Sequence, residues 1–344
     1  MLGQTDRALW DLHDLAMLDL DGVVYIGTAA VPGAPEHLRV AREHDLRLAF
    51  VTNNASRPPS TVAAHLSELG VPAAGSDVVT SAQAAARVLL DELGSGARVV
   101  LLGALGLREA LLEVGLEPVT VQDEAAAVVS GYGPDVLWSD IMRAAVRIRD
   151  GLWWVASNTD LTIPTAYGPA PGHGVLVDTL QRFTRVQPAV GGKPSRPLLD
   201  ETIRRVGGER PLMVGDRLDT DILGGRNAEV PTLLVMTGVT GLAELVEAGP
   251  ELRPTYVAAD LGGLGTTHGT PEREHGVHAL GGWRAGVEAG CLQVSGAGEI
   301  DDWWRVVATA GWAHLDACGR PVDVRGVRPP APQGQGGSPL GSAS

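Results

Sequence analysis

Short apolar runs recur along the chain, and several end in a cluster of small polar or acidic residues. Residues 15–18 run into Asp19-Leu20-Asp21-Gly22, and residues 46–51 run into Thr52-Asn53-Asn54-Ala55-Ser56. Residues 211–214 run into Gly215-Asp216-Arg217-Leu218-Asp219-Thr220-Asp221, and residues 232–236 into Thr237-Gly238. Apolar runs of this length without polar alternation read as strands covered on both faces. Between them, residues 36–43, 59–69 and 197–206 carry apolar positions at helical spacing. Strand followed by helix, repeated, predicts an α/β fold: a Rossmann-like, mostly parallel sheet whose polar strand ends gather at one carboxyl edge.

A second alternating block interrupts this series. Helices are expected over 81–93, 107–114, 135–149 and 175–183, with strands over 98–102, 128–129 and 153–156 and a long Pro/Gly-rich loop over 158–174. The block is large enough to bury its own core. Its Trp138, Trp153 and Trp154 read as packing residues. Past residue 264 the pattern changes to a linker-like stretch over 266–274. A short segment, 275–325, follows with four of the eight tryptophans and an amphipathic helix near 300–315. The expected organisation is a core from 1–79 and 187–265, an inserted α/β unit from 80–186, and an α+β appendage from 266–325. A tail over 326–344, rich in Pro, Gly, Ser and Gln, is expected to be disordered.

Composition narrows the function classes. With 344 residues, 44% hydrophobic and 20% charged, the chain is that of a globular protein of more than one domain. No apolar run reaches the ~18 residues of a membrane span, and the start carries no basic-then-apolar leader. Cys291 and Cys318 form no disulfide or metal pattern, so a reducing cytoplasm is expected. The formal charge of −14 argues against nucleic acid or an anionic membrane surface as partner. An anionic substrate must therefore be held by local features. Of the 27 basic residues only Lys193 is lysine, in Gly191-Gly192-Lys193-Pro194-Ser195. One lysine among arginines points to a task for a compact point charge on a slim stem.

The strand ends supply the candidate chemistry. Asp19 and Asp21 leave extended backbone on the same side, where two carboxylates raise each other's pKa unless a cation joins them. The same spacing also makes an ordinary Asp-Gly turn. Thr52 to Ser56 could cradle an anion or cap the next helix. Taken with Lys193 and Asp216, the set is one of hard oxygen donors without His or Cys, which suits Mg²⁺. A carboxylate that attacks phosphorus forms an aspartyl-phosphate. Such transfer demands in-line positioning and neutralised charge, and Thr52, Asn53 and Lys193 suit the phosphoryl oxygens.

Four motifs in order, DLDGVVY, FVTNN, GGKPS and GDRLDTDI, resemble motifs I to IV of the haloacid dehalogenase (HAD) superfamily. The form is that of the subfamily with a large α/β cap between motifs II and III, similar to the nitrophenylphosphatase and phosphoglycolate-phosphatase group. The resemblance covers roughly residues 10–265. It implies Asp19 as nucleophile and Asp21 as acid, then base. It implies Mg²⁺ on the Asp19 carboxylate, the Asp21 main-chain carbonyl and Asp216, with phosphate bound by Thr52, Asn53, Asn54 and Lys193. Asp221 would stand behind these, orienting Lys193 or metal-bound water.

By the same resemblance the loop over 158–174 helps choose the substrate. Asp160 and Thr165 would touch a polar leaving group and Ile163 would restrict it. The loop has no arginine or lysine, which, with an arginine from elsewhere left open, disfavours a carboxylate-bearing substrate such as phosphoglycolate and favours a neutral polyol phosphate. The tryptophan-containing appendage is similar to the acetyltransferase-like one of glycerol 3-phosphate phosphatases, which makes that compound the expected substrate. An acetyltransferase activity is not expected. The Arg/Gln-x-x-Gly-x-Gly/Ala loop that grips acyl-CoA pyrophosphate is absent between His275 and Arg325. His268, His275 and His278 read as solvated linker residues. The expected partner is a small phosphorylated metabolite, with a homo-oligomer through cap or appendage left open. Alternatives are a phosphoglycolate or aryl-phosphate phosphatase, a phosphomutase, and a phosphate-sensing module without turnover.

Overall fold

The computed structural model describes residues 2–165 and 168–330. The core sheet has six strands in the order Tyr256–Ala258, Thr232–Val235, Pro211–Gly215, Leu15–Leu18, Arg47–Thr52, Val78–Thr80, every pair parallel. The chain begins in the middle of this sheet and winds to one edge, then returns later and winds to the other. The carboxyl ends of Leu15–Leu18 and Pro211–Gly215 flank the point of reversal, where an open α/β sheet leaves a crevice for ligands. Leu18 is in register with both Phe50 and Val214, so Asp19, Val51 and Gly215 emerge at one level. All four residues of Leu15–Leu18 are buried, which is why that run is apolar without alternation.

A second parallel sheet, here the cap sheet, has the order Ala189–Val190, Trp153–Ala156, Ala127–Ser130, Arg98–Leu102, Glu117–Val119. Its strands bury both faces. Val99, Val129 and Val155 pack with helices Ser81–Leu93 and Leu105–Glu113. Val100, Val128 and Trp154 pack with Trp138–Arg149 and His173–Thr184. Trp154 is buried and its Nε1 donates to Ser130 Oγ at 2.9 Å, but Trp138, expected to pack, is 64% exposed on the first turn of its helix. Two further expectations are corrected. Residues 189–190, assigned to the core, extend the cap sheet because Ala189 pairs parallel with Val155. The long loop carries a hairpin, Thr162–Thr165 against Gly168–Pro171, which its prolines and glycines had concealed.

The appendage is a four-stranded antiparallel sheet, Glu272–Glu274, Val277–Leu280, Trp283–Glu288 and Cys291–Gly296, followed by the helix Ile300–Cys318. Trp303, Trp304, Val307 and Trp312 from the helix share one apolar cluster with Leu234, Leu245, Val246 and Val257 of the core. His268 is not solvated as expected. It is buried, with Nε2 donating to the Gly263 carbonyl at 2.9 Å and Nδ1 accepting from Arg305 Nη2 at 3.0 Å. Among the described residues no helix is long and apolar enough to cross a membrane. Most of the tail expected over 326–344 lies outside the described residues, as do Ala166 and Tyr167 of the cap loop.

Candidate active site

The reversal point of the core sheet gathers residues from four stretches of sequence. The Asp19 N–H bonds the Val214 carbonyl at 2.9 Å, which carries the ladder one residue past Leu18 and aims Asp19 at the neighbouring strand end. Carboxylate oxygens of Asp19, Asp216 and Asp221 lie within 4.8 Å of one another. Lys193, only 2% exposed, stands with Nζ 2.6 Å from Asp19 Oδ1 and 2.7 Å from Asp221 Oδ1. Its backbone leaves the edge strand of the cap sheet, so the lysine crosses from that unit into the core. Residues Leu218–Ile222 form a π-helical turn that swings Asp221 back, where its Oδ2 accepts from the backbone N–H of Asp216 and of Arg217. Gly215 is required there because a Cβ would lie 2.2 Å from that of Asp221. Asp219 is exposed and pairs with Arg217 at 2.8 Å, outside this cluster.

Three carboxylates facing one ammonium leave an excess of buried negative charge. Burial pushes the Asp19 carboxyl well above the usual range; Lys193 opposes this, while Asp221 and Asp216 add to it. Asp216 is pushed up to about 6, by burial and then by Asp221. Burial works to lower the Lys193 pKa, but Asp19 and Asp221 outweigh it and raise the value. Asp216 Oδ1 is buried without a hydrogen-bond partner among the described residues, while its Oδ2 accepts from the Val239 N–H at 2.6 Å. A buried, unpartnered carboxylate oxygen beside other oxygen donors fits a hard divalent cation.

The Thr52–Ser56 loop is tied to both neighbours. Asn53 Oδ1 accepts from the Lys193 N–H at 2.8 Å, and its Nδ2 donates to the Lys193 carbonyl and to Asp160 Oδ1, each at 3.0 Å. Both amide hydrogens of Asn53 are thereby committed, so an anion can reach this residue only through its main chain. Of the groups Asn53 offers to a phosphate, the main-chain N–H is therefore the one that its side-chain contacts leave in place. Asn54 Oδ1 accepts from Ser56 N and Oγ at 2.8 and 2.7 Å, and Thr52 Oγ1 accepts from the Asn54 N–H at 3.1 Å. The loop thus closes on itself, and the Thr52 hydroxyl hydrogen stays available. Asn158 Nδ2 donates to the Asn53 carbonyl at 2.7 Å, a second tie from the cap.

Of the residues proposed for specificity, Asp160 faces Asn53 as described. Thr165 turns its hydroxyl to the Gly168 carbonyl at 2.6 Å, closing the hairpin and not pointing to a leaving group. Ile163 sits opposite Ala170 on the same hairpin. At the open side, the exposed Asp21 still lies deep enough in the protein's mass that desolvation raises its pKa, against the charges of Arg57, Lys193 and His65. Tyr25 and His65 meet edge to face beside it, ring centroids 5.2 Å apart. The charge of Arg57 acts at Asp21 and that of Arg217 at Asp160, which is the contribution from outside the cap loop that the sequence left open. The cap loop lacks basic residues, yet cations from elsewhere reach the region where a leaving group would lie. The sequence held no signal for Arg57 because its distance from Asp21 depends on how the second strand end curls.

Comparison with known proteins gives a consistent picture. Residues 16–117 match the family model described as haloacid dehalogenase-like hydrolase, and residues 190–264 match a HAD-hydrolase-like model. The chain is 42% identical over 310 residues to the D-glycerol 3-phosphate phosphatase of Mycobacterium tuberculosis, covering 87% of this chain and 86% of that protein. It is similar to the crystal structure of the glycerol phosphate phosphatase of M. tuberculosis in complex with magnesium. That match has a TM-score of 0.82 and 40% identity over 92% of this chain and 94% of the other. The 4-nitrophenylphosphatase of Thermotoga maritima matches with a TM-score of 0.69 and 30% identity, over 75% of this chain and 98% of its own.

Proposed function

The chain belongs to the haloacid dehalogenase-like hydrolases and is a phosphatase, and on that premise we propose that it hydrolyses glycerol 3-phosphate through an aspartyl-phosphate on Asp19. The observation that carries the mechanism is the buried constellation of Asp19, Asp216, Asp221 and Lys193 at the reversal point of the sheet. Mg²⁺ would be held by the carboxylates of Asp19 and Asp216 and the main-chain carbonyl of Asp21. When bound it supplies positive charge that offsets the excess of carboxylates and the charge of the transferring phosphoryl group.

In the first step an Asp19 carboxylate oxygen attacks phosphorus, the ester P–O bond breaks, and the leaving alkoxide takes the proton of Asp21. The raised pKa of Asp21 favours the protonated form needed for this. In the second step the Asp21 carboxylate takes a proton from water as the hydroxide forms its bond to phosphorus. The Asp19 O–P bond breaks and inorganic phosphate leaves. Lys193 holds a phosphoryl oxygen and, between Asp19 and Asp221, keeps its geometry through both steps. Thr52 contributes its hydroxyl and Asn53 its main-chain N–H, while Asn54, whose N–H is held by Thr52 Oγ1, fixes the geometry of the loop.

The choice of glycerol 3-phosphate rests on the match to the M. tuberculosis enzyme, which continues past the core into the appendage. The absence of basic residues from the cap loop no longer supports it, given Arg57. The similarity to the T. maritima 4-nitrophenylphosphatase supports a second reading, a broad aryl-phosphate activity. Phosphate release under Mg²⁺ tests the proposal. Asp19→Asn is expected to lower turnover by about a thousandfold or more, and EDTA to abolish it; residual activity near wild type in either case overturns the mechanism. A kcat/KM for 4-nitrophenyl phosphate or phosphoglycolate above that for glycerol 3-phosphate overturns the substrate.

A further inference from the structure

The strand Thr232–Val235 ends in Met236-Thr237-Gly238-Val239-Thr240, a polar strand end that the mechanism above does not use. Its contacts converge on the site from outside. Thr237 Oγ1 donates to the carbonyl of Gly22 at 2.5 Å, inside the turn that follows Asp19 and Asp21. Two residues on, the Val239 N–H bonds Asp216 Oδ2 at 2.6 Å, and the Thr240 N–H bonds the Asp216 carbonyl at 3.2 Å. The segment therefore spans the two halves of the carboxylate cluster, one carried by the first strand and one by Pro211–Gly215.

Glycines allow this approach. A Cβ on Gly238 would lie 1.9 Å from Asp216 Oδ2, and one on Gly22, whose φ is +86°, would lie 2.5 Å from the same atom. The Asp216 carboxylate is thus gripped between two glycine backbones with Oδ2 pinned and Oδ1 left buried and unpartnered. Without the pin, rotation about the last side-chain bond would exchange the two oxygens.

We propose that residues 237–240 are a positioning clamp for the cation site. Val239 selects which Asp216 oxygen stays free for the ion, and Thr237 is the positioning residue that holds the Asp19–Gly22 turn against it. The inference rests on the reading that the site takes Mg²⁺. It adds a residue that touches neither phosphate nor metal but orients groups that do, the kind of support whose loss lowers metal affinity by about 10- to 100-fold.

The test is Mg²⁺ binding to the full-length chain, read without substrate by calorimetry and by the Mg²⁺-dependent rise in Tm. Thr237→Val is nearly isosteric, keeps the fold as judged by circular dichroism without metal, and is expected to weaken Mg²⁺ binding about 10- to 100-fold. Thr237→Ser restores the donor and is expected to bind within about threefold of wild type. Gly238→Ala, at an exposed position, serves as a second variant and is expected to weaken binding at least as much. A wild type that binds Mg²⁺ while Thr237→Val and Gly238→Ala bind it within twofold overturns the clamp and leaves the Mg²⁺ reading standing. A wild type with no Mg²⁺ response overturns the reading and the clamp with it.

Discussion

The core meets its two neighbours through junctions of opposite character. Toward the appendage the contact is apolar and continuous: Trp303, Trp304 and Trp312 enter one cluster with Leu234, Leu245 and Val257 of the core. Gly311 lets the helix Ile300–Cys318 lie directly on Val246, where a Cβ would come within 2.5 Å. Polar groups along that junction are paired: Trp312 Nε1 donates to the Leu245 carbonyl at 2.7 Å, Arg253 meets Asp316 at 2.6 Å, Asp301 accepts from the Ala259 N–H at 2.7 Å, and Arg305 Nε donates to the Val257 carbonyl at 3.2 Å. Toward the cap, the contacts beside the site are hydrogen bonds. Asp160 and Asn158 bond Asn53, and the Gly106 N–H bonds the Ser56 carbonyl at 3.1 Å. Apolar burial scales with area and holds two bodies in one state. A hydrogen bond that can be exchanged for one to water contributes only about 1 kcal/mol net, which suits a contact that forms and breaks around a substrate.

The largest effect expected from this contrast is on stability. Trp303 is buried to 2% exposure and stacks edge to face on Trp304. Trp303→Ala should lower the unfolding free energy by about 3–5 kcal/mol, measured by urea denaturation. A loss below about 1 kcal/mol would mean that the appendage is only loosely attached, and would erase the distinction.

The next largest concerns acid. Burial first, and then the charge of Arg305, lower the pKa of His268 to about 4 against the opposing bond to the Gly263 carbonyl. The folded ring stays neutral where an unfolded one, near 6.5, would take a proton. Between those two values the unfolded state binds more protons, so stability is full above pH 6.5 and declines as pH falls toward 4. At ~1.4 kcal/mol per pKa unit this amounts to at most about 3 kcal/mol. Tm measured across pH 7 to 4 should fall less steeply in His268→Gln than in wild type. Equal slopes would show that the appendage junction does not titrate in this way.

The smallest effect on stability is expected at the cap. Asp160→Ala removes a partly buried hydrogen bond and should cost about 1 kcal/mol or less. Because Asn53 also sets the Lys193 backbone, turnover should fall by about 10- to 100-fold through misplacement of Lys193. A stability loss with unchanged kcat would reverse the assignment of the two junctions.

What could be read from the chain was whatever is local. A strand end that carries Asp19 and Asp21, a Thr-Asn-Asn end, a solitary lysine and a Gly-Asp-rich end are visible because reactive residue types follow apolar runs at short spacing. The six-stranded sheet was legible in kind for the same reason, since doubly covered strands leave near-continuous apolar runs. Non-local pairing was not legible. Nothing near Asn53 in the sequence shows that its side chain is spent on Lys193 and Asp160, residues more than a hundred positions away. His268 sits in linker-like sequence, and only the later Arg305 shows that it is buried. Thr237 and Gly238 were visible as a strand end, but their grip on Gly22 and Asp216 exists only where the sheet reverses its winding and brings the two together. Residue chemistry is carried by the chain itself, whereas the partner that consumes a hydrogen bond is chosen by packing at long sequence separation.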